Sequence, residues 1–99
     1  MVKVVWTQRA LNDLEDIGDY ISKNSYKYAK LTLEKLVDTA LLIEINPLVG
    51  RFVNESSDKT IREIIKGSYR VIYQIQNETS VFILTVFHSS RLLSKKDLE

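Results

Sequence analysis

The residues of this chain that are best suited to chemistry are a single histidine and a group of arginines. A neutral imidazole transfers protons near pH 7, and a guanidinium group donates paired hydrogen bonds to phosphate oxygens. His88 stands three residues before Arg91. Together, such groups protonate a leaving oxygen and stabilise a pentavalent phosphate, which is the chemistry of RNA cleavage. If the chain is a nuclease, the candidate catalytic residues are His88, Arg62, Arg51 and Arg91. The alternative is that His88 ends a strand and bonds only to backbone.

Arginine is concentrated in the second half of the chain, whereas lysine is spread along it. Four of the five arginines are Arg51, Arg62, Arg70 and Arg91. Residues 1–50 have a net charge of −1 and residues 51–99 of +2, so the total is +1. This total excludes polyanion binding by bulk charge and directs attention to the local distribution. The arginines point to an anion-recognising surface in the second half.

Length and composition indicate one globular domain that spans residues 1–99. Hydrophobic residues make up 44% and charged residues 27%, and there is no Cys. One His and no Cys exclude a disulfide framework and a Cys/His zinc site, and we expect no metal and no cofactor. Residues 1–6 are too short an apolar run for a signal peptide, and no stretch approaches the roughly 18 apolar residues of a membrane helix. We therefore expect a cytoplasmic protein without a membrane partner.

Hydrophobic periodicity predicts a strand followed by two helices in the first half. Residues 2–6 alternate like a short strand. Thr7 is a suitable N-cap for a first helix whose apolar residues repeat every three to four positions. Ser25 caps a second helix that runs from about Tyr26 to Ile45, before Pro47. The predicted apolar stripe of this helix comprises Ala29, Leu33, Leu36, Val37, Ala40, Leu41 and Ile43.

After Pro47 the period changes to two, which predicts β structure at 61–66, 69–76 and 81–87, with 51–53 as a further short candidate strand. The fold class is α+β, in the order β-α-α-β-β-β, with a helical hairpin packed on a small, mostly antiparallel sheet. Gly67-Ser68 predicts a hairpin that pairs residues whose numbers sum to 135. In this register Arg62 and Arg70 point to opposite faces, and Glu63 is within reach of Arg70. Arg70 is therefore expected in a structural salt bridge, and Arg62 is the better functional candidate.

Two other groups of residues receive structural interpretations. The carboxylates lie opposite the apolar stripe of the first helix and are expected to form a solvated face rather than a cation site: Asp13, Glu15, Asp16 and Asp19. Packing explains the aromatic residues on or beside the helices better than a stacking platform for bases does: Trp6, Tyr20, Tyr26 and Tyr28. Phe52, Phe82 and Phe87 are expected to face the core.

The order and spacing of these features resemble the RelE/ParE toxin superfamily over nearly the whole chain. The matching segments are Trp6-Thr-x-x-Ala10-x-x-Asp13-Leu14-x-x-Ile17-x-x-Tyr20-Ile21, Asn46-Pro-x-x-Gly50-Arg51, Ile61-Arg62-Glu63, Gly67-Ser-Tyr69-Arg70-Val-Ile-Tyr73 and Val86-Phe-His88-x-x-Arg91. With its long helical hairpin, the chain looks most like the ParE branch. The resemblance implies a toxin of a type II toxin-antitoxin (plasmid stabilisation) module, held in a hetero-oligomer with a small cognate antitoxin whose tail wraps it.

The resemblance implies one of two activities. ParE-like members inhibit DNA gyrase by trapping cleaved DNA, whereas RelE-like members are ribosome-dependent endonucleases that cut messenger RNA. RelE-like nucleases resemble one another in a basic cluster with a Tyr or His-Tyr pair near the C-terminus, but here Ser89 follows His88 and no Tyr follows Tyr73. The near-neutral net charge of the chain also argues against strong binding to ribosomal RNA, because contacts with phosphates supply much of the affinity for nucleic acid. The residues favour a non-enzymatic gyrase poison over a nuclease. A third possibility is an inactive remnant that only binds its antitoxin.

Four basic residues are candidates for binding the target: Arg62, Arg91, Lys95 and Lys96. The last three follow the final strand and are expected to contact the gyrase-DNA complex or an acidic antitoxin tail. The alternative is a frayed, solvated end. We also expect exposed sheet edges and an apolar groove between hairpin and sheet, which an antitoxin covers by strand addition or as a helix.

Overall fold

Two helices pack on one five-stranded sheet in a computed structural model, which describes residues 1–98. The elements are β1 (Lys3–Trp6), α1 (Gln8–Ser22), α2 (Tyr26–Ile45), β2 (Arg51–Phe52), β3 (Ile61–Lys66), β4 (Tyr69–Ile75), β5 (Ser80–His88) and a 3₁₀ turn (Lys95–Leu98). Across the sheet the order is β1-β5-β4-β3-β2, with β1 parallel to β5 and the other neighbours antiparallel. The α+β class and the predicted order are confirmed, and the short candidate strand at 51–53 is present as the two-residue edge strand β2.

Both helices begin at the predicted capping residues. The Thr7 hydroxyl accepts a hydrogen bond from the Ala10 amide at 3.2 Å, and the Ser25 hydroxyl accepts one from the Tyr28 amide at 3.0 Å. These bonds satisfy amides that have no partner inside a helix. Asn46 has extended backbone, as expected before Pro47, and ends α2. Within residues 1–98, neither helix combines the length and hydropathy needed to span a bilayer.

The hairpin between β3 and β4 has the predicted register. Gly67 adopts a φ of 58°, the left-handed conformation that this tight turn requires. Ile65 pairs with Arg70 and Arg62 with Tyr73, so paired numbers sum to 135. The side chains of Arg62 and Arg70 consequently point to opposite faces of the sheet, as predicted.

A bulge in β5 lies where the partner of this strand changes from β1 to α1. Ile72 pairs with Thr85 but Tyr73 pairs with Ile83, which leaves Leu84 as the extra residue. The parallel pairing with β1 ends at Ile83, and beyond this point a carboxylate of α1 covers the edge of β5. One Asp13 oxygen accepts hydrogen bonds from the Val86 amide at 3.0 Å and from the Thr85 hydroxyl at 2.5 Å. The prediction of a merely solvated carboxylate is therefore wrong for Asp13.

The sheet carries an apolar layer on each face, which explains the nearly continuous apolar sequence of β5. We call the face that the helices cover the helix face; Tyr73 lies there and packs with Leu36 and Ile43 of α2. We call the other the open face; Ile72 and Phe87 lie there and pack with Leu93. Leu93 belongs to residues 89–98, which we call the C-terminal segment. Phe87 is therefore in the core, as predicted.

The second helix buries a narrower stripe than its sequence predicts. Its buried residues are Ala29, Leu36, Thr39, Ala40 and Ile43. Val37 and Leu41 are exposed, so the prediction is wrong for both. The two helices leave an outer cleft of about 580 Å³ between them, and Val37 lines it because α1 does not cover this part of α2.

Several aromatic side chains also lie at the surface, contrary to prediction. Tyr20, Tyr26 and Tyr28 are exposed, and so are Phe52 and Phe82. The three tyrosines lie near the junction of α1 and α2. Packing therefore does not account for these residues.

Candidate functional site

The four arginines of the second half lie on opposite faces of the sheet. Arg62 pairs with Tyr73 and shares the helix face with it. Arg51 pairs with Glu63, which alternates onto the open face together with Arg70. Arg91 lies over the ring of Phe87, 4.7 Å from the ring centroid, and so belongs to the open face. The arginines of the candidate nuclease set are therefore divided between the two faces.

Arg62 holds the loop that joins α2 to β2. Its Nη1 donates a hydrogen bond to the Gly50 carbonyl at 2.7 Å, and its guanidinium carbon lies 4.4 Å from the centroid of the Phe52 ring. The hydroxyl of Tyr73 holds the same loop: it accepts from the Gly50 amide at 2.9 Å and donates to the Pro47 carbonyl at 2.6 Å. Arg62 has no ion pair within residues 1–98. Its charge is therefore not neutralised by a carboxylate in this part of the chain.

Arg70 is enclosed by carboxylates on the open face. Its Nε donates to Glu63 at 2.7 Å, which confirms the predicted salt bridge. Its two terminal nitrogens donate to both oxygens of Glu55 at 2.7 and 2.9 Å, and this paired geometry is the one that arginine offers to a phosphate or carboxylate. The bond from Arg70 lowers the pKa of Glu55 to about 2. The bonds to Glu55, and then to Glu63, raise the pKa of Arg70. The guanidinium of Arg70 thus already holds an anion of its own chain.

The open face is consequently not a cluster of free basic groups. A groove of about 410 Å³ crosses it and is lined by Arg51, Arg70, Glu55 and Glu63. The Nε of Arg51 donates to Glu63 at 2.9 Å, although most of the Arg51 side chain is exposed. Two carboxylates therefore balance the two arginines of this groove.

His88 lies on the helix face at the far end of β5. It pairs with Tyr69, and the two rings meet edge to face with their centroids 5.6 Å apart. Its Nδ1 accepts a hydrogen bond from the Ser90 amide at 3.1 Å and lies 2.8 Å from the Ser90 hydroxyl. This geometry agrees with the alternative of a strand-end histidine bonded to nearby backbone. The Arg91 amide donates a hydrogen bond to the His88 carbonyl at 3.0 Å, but the imidazole lies on the other face of the sheet from the side chains of Arg51 and Arg91.

The C-terminal segment is packed against the domain, so the alternative of a frayed end is wrong. Asp97 is buried and forms ion pairs with Arg9 of α1 and, at 2.7 Å, with Arg91. Burial raises the pKa of Asp97, but hydrogen bonds from Ser94 and Arg91 outweigh burial and leave the pKa below its usual value. The anchored segment presents Lys95 and Lys96 to solvent.

Sequence reasoning missed the acidic residues that organise this region. Glu55 stands in a polar loop and bonds to a residue 15 positions away, and Asp97 bonds to a residue 88 positions away. No local pattern identifies partners at such separations. The sequence offers one signal for these carboxylates. A guanidinium group that lies against apolar residues, as those of Arg70 and Arg91 do, needs an acidic partner.

Sequence comparisons with known proteins identify a family. A family model described as the ParE toxin of the type II toxin-antitoxin system, parDE, matches residues 4–93. The chain is also similar to a curated protein named Toxin RelE2 from Caulobacter vibrioides. The two are 34% identical over 92 residues, which covers 93% of this chain and the whole of the relative.

Solved structures of toxin-antitoxin systems share the fold. One, a chromosomal ParDE toxin-antitoxin system from P. aeruginosa, superposes with a TM-score of 0.71 at 19% identity and covers 89% of this chain and 96% of that chain. Another, the RelBE2 toxin-antitoxin complex from Mycobacterium tuberculosis, superposes with a TM-score of 0.64 at 28% identity. It covers 88% of this chain and 96% of that chain. Because the family model spans nearly the whole chain and the curated relative is matched over its full length, this protein belongs to the ParE/RelE family of type II toxin-antitoxin toxins.

Proposed function

We propose that this toxin inhibits DNA gyrase by stabilising gyrase-cleaved DNA, and that it breaks no bond itself. The observation that carries the proposal is the separation of the groups that a nuclease would need. His88 and Arg62 lie on the helix face, and Arg51 and Arg91 lie on the open face. A general acid has to come within about 2.6–3.2 Å of the atom it protonates. Groups on opposite faces of a sheet cannot meet that requirement for one phosphate.

The two candidates on the helix face are also distant from each other. His88 pairs with Tyr69, which pairs with Lys66 of β3, four positions from Arg62. At about 3.3 Å per residue this offset is about 13 Å along the strand. The guanidinium of Arg70, which is buried on the open face, is already bonded to Glu55 and Glu63. Both points favour a toxin that acts by binding.

The toxin is proposed to work with a cognate antitoxin in a cytoplasmic hetero-oligomer. The solved relatives include a toxin-antitoxin complex. Several apolar side chains are exposed along the end of α2 and the loop that leads to β2: Leu41, Ile45, Leu48, Val49 and Phe52. Such a strip, beside an edge strand of two residues, suits a partner segment that adds a strand or lays a helix in a groove.

The alternative function is a ribosome-dependent messenger RNA endonuclease. The observation that favours it is the 34% identity to a relative named Toxin RelE2. In this case His88 would be the acid or base, and its replacement would lower cleavage about 10² to 10⁴-fold.

Two assays distinguish these functions. The purified protein should increase the amount of plasmid DNA recovered as gyrase-bound linear product and should leave ribosome-bound message intact. His88→Ala should keep most of the activity on gyrase, because within residues 1–98 the imidazole forms hydrogen bonds only with Ser90. Message cut at the ribosomal A site by wild type but not by His88→Ala would contradict the proposal and establish the nuclease. A chain that does not slow growth without an antitoxin would be an inactive remnant.

Arg62 provides the test of target binding. Arg62→Ala removes a cation and one bond to the loop at Gly50, and should weaken the action on gyrase. Tyr73→Phe is the matched control, since it releases the same loop and keeps the cation. Each change should cost about 1–3 kcal/mol of unfolding free energy. Equal loss of activity in both variants would assign Arg62 a role in loop position only.

A further inference from the structure

A groove with aromatic and basic walls opens at the end of the molecule where α1 meets α2 and β3 turns into β4. A cleft of about 410 Å³ lies there among Tyr20, Tyr28, Tyr69 and His88. It adjoins a smaller pocket that shares Tyr28 and Tyr69 with it and is also lined by Lys35 and Lys66. We call these two connected spaces the aromatic groove. Nothing in the activity proposed above uses it.

The tyrosines of the aromatic groove are available to a ligand. Tyr20 and Tyr28 are 70% and 62% exposed, so neither serves the core. Tyr69 is half-buried at the base and is held by the edge contact with His88. Burial, and then the nearby Tyr28 and Tyr20, raise the pKa of Tyr69, so both exposed tyrosines lie close to it. Exposed rings grouped in this way are surfaces on which planar groups stack.

The charge of the aromatic groove is positive. None of the described residues that line its two spaces is a carboxylate, and Lys35 and Lys66 line the smaller one. Lys23 adds a third ammonium group, 6.0 Å from the centroid of the Tyr20 ring. Acidic groups lie on the other side of the same rings, because Asp13 and Asp16 line a hollow that shares Tyr20, Tyr69 and His88 with the groove. An anionic chain would therefore be favoured along the lysines and repelled from that hollow.

The imidazole of His88 adds a hydrogen-bond donor to the lining of the aromatic groove. Because Nδ1 accepts a bond from the Ser90 amide, the neutral ring carries its proton on Nε2. An exposed Nε2 donor beside a tyrosine suits the acceptor atoms on the edge of a nucleobase. The groove thus combines planar surfaces, cations and a donor.

We propose that the aromatic groove binds an unpaired segment of nucleic acid, with bases stacked on Tyr20, Tyr28 and Tyr69 and phosphates near the lysines. Aromatic side chains interleaved with basic ones are the combination by which proteins hold single strands without reading their sequence. A duplex does not fit this chemistry, because its bases are already stacked on each other. The inference is independent of the proposed function, since binding requires neither gyrase nor a ribosome.

Fluorescence anisotropy with a labelled oligothymidylate of about ten nucleotides tests the proposal on the purified chain. We expect the single strand to bind more tightly than a duplex of the same length. Tyr20→Leu and Tyr28→Leu should each weaken binding about fivefold or more without changing its salt dependence. Lys35→Ala and Lys66→Ala should each lower the slope of log K against log salt concentration by about 0.7. Both tyrosines are exposed, so their replacement should leave the fold intact.

The outer cleft between the helices supplies matched controls. Tyr26 is 78% exposed and lines that cleft together with Lys30 and several carboxylates. Tyr26→Leu and Lys30→Ala should bind the oligonucleotide like wild type. No binding at about 100 μM protein, equal binding of duplex, or equal loss in Tyr26→Leu would overturn the proposal. Normal oligonucleotide binding by Tyr20→Leu and Tyr28→Leu, combined with lost antitoxin binding, would assign the groove to a protein partner and would also overturn it.

Discussion

At the scale of single residues, Glu55 decides whether Arg70 can hold a foreign anion. The carboxylate occupies both terminal nitrogens of the guanidinium and also accepts a bond from the Leu93 amide at 2.9 Å. It therefore links the loop before β3, the strand β4 and the C-terminal segment. A phosphate that reached Arg70 would have to displace this carboxylate. Glu55 is thus a structural residue that also reduces the basic character of the open face.

The protonation of Glu55 predicts how stability depends on pH. Its pKa is about 2 in the folded chain, below the usual 4.5, chiefly because of the bond from Arg70. Ionised Glu55 therefore stabilises the fold above pH 4.5, and this contribution is lost as the pH falls from 4.5 towards 2. Glu55→Gln should be less stable than wild type at about pH 7 and should lose less stability on acidification, as measured by urea unfolding.

Glu78 provides the control for this experiment. It is exposed in the turn between β4 and β5 and forms no ion pair within the described residues. Glu78→Gln should follow the pH profile of wild type. If Glu55→Gln did so as well, the bond between Glu55 and Arg70 would not contribute to stability.

At the scale of elements, α1 completes the sheet where β1 ends. A strand edge leaves backbone amides without partners, and burial of such an amide is unfavourable. The first helix meets this requirement with one carboxylate, because Asp13 accepts bonds from the Val86 amide and the Thr85 hydroxyl. The bulge at Leu84 accompanies this change of partner from strand to helix. The docking of α1 on the sheet therefore depends on a polar contact as well as on apolar packing.

Removal of the Asp13 carboxylate should weaken the contact between α1 and β5. We expect Asp13→Ala to lower the unfolding free energy by about 1–3 kcal/mol, because the Val86 amide and the Thr85 hydroxyl lose their acceptor. Amide hydrogen exchange at Val86 should rise in this variant. Asp16→Ala is the control, since Asp16 is exposed on the same helix and the change in helix propensity is the same. Equal stability of the two variants would show that water replaces the carboxylate without cost.

At the scale of the whole molecule, the two ends of the chain are joined through one buried carboxylate. Asp97 pairs with Arg9 near the start of α1 and with Arg91 after β5. Leu93 extends the apolar layer of the open face in the same segment. The segment thus covers part of the open face and holds Lys95 and Lys96 at a defined place on the surface. Deletion of residues 92–99 would remove core contacts together with the lysines.

Point variants therefore test the role of Lys95 and Lys96 in target binding better than truncation does. If Lys95 and Lys96 contact the gyrase-DNA complex, Lys95→Ala with Lys96→Ala should weaken the action on gyrase, most strongly at low salt, with an unchanged melting temperature. Deletion of residues 92–99 should lower the melting temperature, since truncating a buried leucine alone costs about 2–5 kcal/mol. Lys27→Ala, on exposed α2 surface, is the control for charge. Full activity of the double variant would exclude the two lysines from the target contact.

The sequence by itself determined the features that depend on neighbours a few residues apart. Thr7 and Ser25 begin the helices, Pro47 follows the end of α2, and Gly67 sets a two-residue turn. That turn fixes the register of β3 and β4, and with it the opposite directions of Arg62 and Arg70 and the bond between Glu63 and Arg70. The family likeness followed from the same local patterns in their order along the chain. These features are short-range because capping bonds and turn geometry involve adjacent backbone.

Only the tertiary structure decided which polar groups meet and which aromatic side chains stay exposed. Asp13, Glu55 and Asp97 bond across 73, 15 and 88 positions of sequence, where no spacing rule applies. Tyr20 and Tyr28 have the residue type of core positions, yet they are exposed at the end of the hairpin. The separation of His88 from Arg51 and Arg91 likewise depends on which face each strand presents. Burial and long-range contacts depend on which distant segments pack against each other. The periodicity of one helix or strand does not specify its tertiary neighbours.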